Sequence, residues 1–236
     1  MESAESTIAD GAKRSEVPRK TALLLVDIQH DFLPPDGSLA VPDGDKILPL
    51  VYRILDEAHA QFDLIVASMD CTYHPVHHVS FASTHGKEPF TAIKVPRLNS
   101  DEKITQMLWP DHCVQGTKGC EIHPEVQQRL DKLPNVQYIR KGDNVHVDAY
   151  SAFADNQYTL FTPLAKLLHS SGISHVVICG LATDYCVRAT AIDARKFGFT
   201  TKVLTDAIRA VDPAKSDEVL SELVNWGCIL AQSTDV

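Results

Sequence analysis

The sequence predicts an α/β fold of three layers, αβα, built on a mostly parallel sheet of six strands. Two observations point there. Short apolar runs alternate along the chain with segments whose apolar residues recur at helical spacing, the order expected of a parallel sheet covered on both faces. Several of those runs are apolar at every position rather than every second one, which marks strands with no solvent-facing side.

The elements follow in order. Residues 1–20 are polar and charged with no apolar stretch, and are expected to form a disordered or extended tail without a secretory signal. Thr21-Ala22-Leu23-Leu24-Leu25-Val26 is the first strand and ends at Asp27. A loop rich in Pro and Gly covers residues 33–45. Ile47, Leu50, Val51, Ile54, Leu55 and Ala58 recur at helical spacing. Asp63-Leu64-Ile65-Val66-Ala67-Ser68 is the second strand and leads into Met69-Asp70. Residues 71–122 read as irregular, which is long for a loop in a compact domain; such loops are usually functional or disordered. Five of the eleven histidines fall between 74 and 112, which favours function.

Pro124 opens a helix reaching about residue 133, and residues 136–140 form a third strand that ends at Lys141-Gly142. A polar loop follows through Tyr150 and Phe153. Leu160, Leu164, Leu167 and Leu168 mark a helix that stops at Ser171-Gly172. Residues 176–179 are a buried strand punctuated by Gly180, and residues 187–194 have helical texture, with Thr183 or Asp184 as the expected cap. Residues 201–205 make a fifth strand, Asp212-Pro213 starts a helix carrying Val219, Leu220, Leu223 and Val224, and residues 228–230 make a sixth, edge strand. Residues 21–236 are thus expected to be one domain.

Composition narrows the function. A net charge of −9 argues against nucleic acid or an anionic membrane as partner, and no segment is long and apolar enough to span a bilayer. A cytoplasmic location is the expectation. The six cysteines then read as reduced thiols rather than a disulfide framework.

In a parallel sheet ligands bind outside the carboxyl ends of the strands. Asp27, Asp70, Lys141 and Cys186 each fall at that end of a different predicted strand. A charge buried there is costly unless paired, and Asp27 beside Lys141 would satisfy both. Cys186, in the first turn of a helix, meets free amides and a helix dipole that favour a thiolate and could hold an oxyanion. Nucleophile, base and orienting cation are therefore all at hand.

A second group joins Asp70 and His74 to Trp109-Pro110-Asp111-His112-Cys113. One carboxylate and two imidazoles suit a borderline divalent metal, with His78 as a further ligand. A structural zinc on Cys113, Cys120 and His123 matches no common module. A third group, Phe32, Trp109, Tyr150 and Phe153, offers aromatic faces to a flat ring; loop packing explains Tyr150 and Phe153 equally well.

These motifs together resemble the isochorismatase-like cysteine hydrolases and, within them, the nicotinamidases. The resemblance rests on Val26-Asp27-Ile28-Gln29-His30-Asp31-Phe32, Tyr73-His74-Pro75, His78-Val79-Ser80-Phe81 and Trp109-Pro110-Asp111-His112-Cys113-Val114-Gln115-Gly116-Thr117. It continues through Lys141-Gly142, Gly180-Leu181-Ala182-Thr183-Asp184-Tyr185-Cys186-Val187 and Asp206-Ala207. It implies a triad of Asp27, Lys141 and Cys186, a cis Leu181–Ala182 peptide, and an oxyanion hole from the amides of Ala182 and Cys186. Phe32, Trp109, Tyr150 and Leu181 would contact nicotinamide. One divalent metal, zinc with iron or manganese as alternatives, would sit on Asp70, His74 and His112. The implied activity is hydrolysis of nicotinamide to nicotinate and ammonia in NAD salvage, and the family allows a homo-oligomer.

One departure stands out. Family members space the metal Asp and His two apart, whereas Asp70 lies four residues before His74, with Cys71-Thr72 looking like an insertion. A bulge would let Asp70 reach the metal; without one, Thr72 takes the usual Asp position. Two rivals remain: an amidase of the same superfamily acting on a non-aromatic substrate, and a silent metal-binding homologue. A thiol redox protein would need a CxxC pair, which is absent.

Overall fold

The structure, a computed structural model, describes residues 19–71 and 77–236. The predicted tail at residues 1–18 and the stretch 72–76, which includes Thr72 and His74, lie outside the described residues. The main strands are β1 (Lys20–Val26), β2 (Leu64–Asp70), β5 (Val136–Lys141), β6 (Ile173–Leu181), β7 (Thr200–Arg209) and β8 (Ile229–Ala231). They form one sheet in the order β5-β2-β1-β6-β7-β8, and every pairing is parallel.

Side chains of β1 alternate between two cores. Leu23 and Leu25 face α1 (Leu48–Glu57) and α3 (Pro124–Leu130), whose Val51, Ile54, Leu55, Val126 and Leu130 close that side. Ala22, Leu24 and Val26 face α4 (Leu164–Ser170), α5 (Arg188–Lys196) and α6 (Ser216–Asn225), through Leu164, Leu168, Ala191, Val219 and Leu223. Burial on both faces is why these strands show no alternation in sequence. The three-layer αβα reading is therefore correct.

Residues 71–122 depart from the irregular reading. They contain the short α2 (Ala82–His85) and an antiparallel ribbon of β3 (Ala92–Pro96) and β4 (Lys103–Met107). Only Val95 and Gln106 of the ribbon are buried, so its apolar alternation is faint. Leu160, read as helical, is exposed ahead of α4.

The chain passes from β1 outward to β2 and β5, then returns to the other side of β1 at β6. This reversal beside β1 is the switch point where α/β sheets open a crevice. The close approach there has a sequence cause. Gly180 has φ +124°, and a Cβ on it would lie 2.1 Å from the Val26 carbonyl oxygen. Glycine alone lets β6 pass the tip of β1.

Candidate active site

Three predicted groups converge at the carboxyl ends of β1, β5 and β6. Asp27 follows β1 directly with φ 50°, a conformation non-glycine residues seldom take. Its Oδ1 accepts from Ser68 Oγ at 2.6 Å, and its Oδ2 lies 3.0 Å from Lys141 Nζ. Lys141 ends β5 and pairs in register with Asp70, the last residue of β2. Its ammonium donates to the Ala149 carbonyl at 2.9 Å and to Cys186 Sγ at 3.5 Å, and stands 3.7 Å from Asp70 Oδ1. Acid, amine and thiol thus meet around one ammonium, all buried.

Cys186 sits in a π-helical turn, Thr183–Val187, that leads into α5. The expected cap is not made. The N-cap is Ala182, without a side-chain bond, and the Asp184 carboxylate instead accepts from the Val211 and Asp212 amides at 2.9 Å each. The Leu181–Ala182 peptide is cis.

Above the thiol lies a narrow, mostly apolar cleft. Phe32, Trp109, Tyr150, Asp70, His112, Ala182 and Cys186 line it, as the sequence suggested. Leu39, Asp148, Tyr185 and Val211 also line it and escaped the sequence reading. Trp109, Tyr150 and Tyr185 meet edge to face, with ring centroids 4.7–6.4 Å apart. Phe153 is elsewhere, stacked on Phe197 and Phe199 in the core. The Leu181 side chain is likewise buried in the core and does not line the cleft.

A family model described as the isochorismatase domain matches residues 21–235. The chain belongs to the isochorismatase family. It is 38% identical to a nicotinamidase of Escherichia coli over 91% of this chain and 95% of the relative. A solved yeast nicotinamidase bound to the inhibitor nicotinaldehyde superposes with a TM-score of 0.83 at 31% identity, covering 90% of this chain and 99% of that one. A Pyrococcus horikoshii pyrazinamidase in complex with zinc gives a TM-score of 0.71 at 35% identity, covering 90% and 99%.

Charge in this isochorismatase-family cleft follows from burial and pairing. Burial would lower the Lys141 pKa, but Asp27, Asp70 and Cys186 outweigh it and hold the amine well above its ordinary value. Burial raises Asp27, opposed by Lys141. Burial also pushes the Cys186 thiol well up, and Asp27 and Asp70 add to this while Lys141 opposes it. The amides and helix end that the sequence expects to favour a thiolate are thus opposed by burial at Cys186.

The candidate metal ligands are only partly described. Asp70 Oδ2 faces His112 Nε2 at 3.3 Å, and His112 Nδ1 sits 2.7 Å from the Pro110 carbonyl, which orients the ring. Burial would raise the Asp70 pKa, yet Lys141 and His112 hold it at about 2, so it is a carboxylate at neutral pH. His78 is buried; its Nδ1 lies 2.6 Å from Ser80 Oγ, and its Nε2 has no hydrogen-bond partner among the described residues. An anionic oxygen facing an oriented imidazole is a donor pair that suits a borderline divalent cation. Asp70, His78 and His112 do not close into a three-ligand group, none being present among the described residues, and His74 lies outside them.

Proposed function

We propose that the chain hydrolyses nicotinamide to nicotinate and ammonia through a thioester on Cys186, serving NAD salvage in the cytoplasm. The observation that supports this most is the meeting of Asp27, Lys141 and Cys186 beneath an aromatic cleft. The similarity to nicotinamidases supports the substrate.

In the proposed cycle Asp27 takes the Cys186 proton as sulfur attacks the carboxamide carbon, and Lys141 balances the charge. The oxyanion is received by the amides of Ala182 and Cys186, near the open amino end of a helix. Its collapse breaks the C–N bond, and ammonia leaves with the proton held by Asp27. Water, deprotonated by Asp27, then attacks the thioester; nicotinate departs and the thiolate regains its proton.

Phe32, Trp109, Tyr150 and Tyr185 bracket the pyridine ring. Asp70, His74 and His112, with His78 nearby, would hold one divalent metal, zinc being the first choice in view of the zinc-bound relative. When bound, the metal supplies a Lewis acid for the pyridine nitrogen. The test is ammonia release from nicotinamide against aliphatic amides, with metal content measured on the same sample. Nicotinamide is expected to be strongly preferred; equal or better turnover of an aliphatic amide would replace it as substrate.

A further inference from the structure

We propose that Cys71 and Cys120 form an oxidisable dithiol, a modification site that hydrogen peroxide converts to a disulfide. The two sulfurs are 3.6 Å apart although the residues are 49 apart in sequence. Of the other described thiols, Cys113 donates to the Gly119 carbonyl and Cys228 to that of Ala191, Cys186 faces Lys141, and Cys179 is buried within β6.

The backbone holds the pair together. The Cys71 amide donates to the Lys141 carbonyl at 2.9 Å. Gln29 Nε2 donates to the carbonyls of both Asp70 and Cys120 at 2.8 Å, tying the end of β2 to the 118–120 turn. A disulfide needs the sulfurs at about 2.05 Å, so about 1.5 Å of approach, shared between two side chains, completes the bond.

The pair is not sealed. Though mostly buried, Cys71 and Cys120 line a surface pocket of about 240 Å³ with Met69, Thr117, Glu121 and Arg140. A peroxide molecule is small enough to enter. One thiol attacks the peroxide, breaking the O–O bond to give a sulfenic acid and water. The second thiol displaces the sulfenic oxygen as a second water, forming the S–S bond. Two thiols lose two electrons and two protons in all, and peroxide is reduced. The new bond would close one residue from Asp70, so oxidation reaches the strand end that carries a candidate metal ligand.

The test treats Cys186→Ser protein with hydrogen peroxide, blocks residual thiols by alkylation and maps the peptides. A 71–120 linked peptide, lighter by two hydrogens than the reduced pair and released by dithiothreitol, is expected. It should be missing from Cys71→Ser and Cys120→Ser. The chain with Cys186 intact, treated in parallel, gives the same readout independently of that substitution. Recovery of both peptides alkylated, singly over-oxidised, or linked to Cys113 would overturn the proposal.

Discussion

Asp27, Lys141 and Cys186 stand at the ends of β1, β5 and β6, while Trp109 and His112 hang from the excursion of residues 71–122. The strand-borne half is placed by sheet register: Lys141 pairs with Asp70, and Val26 with Gly180. The excursion is placed by local bonds instead. Asp31 Oδ2 accepts from the Cys113 amide at 2.7 Å, Phe81 bridges to Trp109, and Gln29 clamps Asp70 to Cys120. On the proposed function, the strand ends carry the chemistry and the excursion positions the substrate. Substitutions in the first half should lower kcat, and those in the second should raise KM.

The largest expected effect breaks the strand-borne half. Asp27→Asn should lower kcat about 10³-fold, as loss of a general base does. Burial raises this carboxyl, so the acid limb of kcat/KM in the native chain should lie above the ordinary Asp value of about 3.9. Activity falls as pH drops through that limb, because a protonated Asp27 cannot take the thiol proton. A pH–rate profile of both proteins checks it, and the limb should vanish in the variant.

Lys141→Met comes next. It leaves Asp27 and Asp70 buried with no cation between them, and should cost about 3–5 kcal/mol of stability in denaturant titration. An unchanged midpoint would mean that the lysine is not the hub of the site.

Asp70→Asn sharpens the comparison because Asp70 belongs to both halves. Metal retention after dialysis against chelator should fall by more than the roughly 10–100-fold that loss of an outer-shell partner costs. The smallest effect is expected for Trp109→Leu, which removes the edge contacts to Tyr150 and Tyr185. A loss of about 1 kcal/mol should raise KM about fivefold and leave kcat nearly unchanged. A fall in kcat instead would erase the division between chemistry and positioning.

The same division governs what could be read from the sequence. Doubly buried strands announce themselves as unbroken apolar runs, so the sheet and the residues at its tips were legible. The ribbon of β3 and β4 was not, because half-exposed strands five residues long carry little periodic signal. Asp184 reads locally as a cap, but its partners, Val211 and Asp212, lie 27 and 28 residues away. Tyr185 and Asp148 reach the cleft only through convergence of distant segments, which no local pattern encodes. The helix end at Cys186 is visible in sequence, whereas the burial that opposes a thiolate there is not.

The most direct test is Cys186→Ala, assayed for ammonia release from nicotinamide alongside nicotinamide binding by calorimetry. Covalent attack by this sulfur predicts a folded protein that still binds nicotinamide and releases no ammonia. Turnover equal to that of the unsubstituted chain would contradict the account.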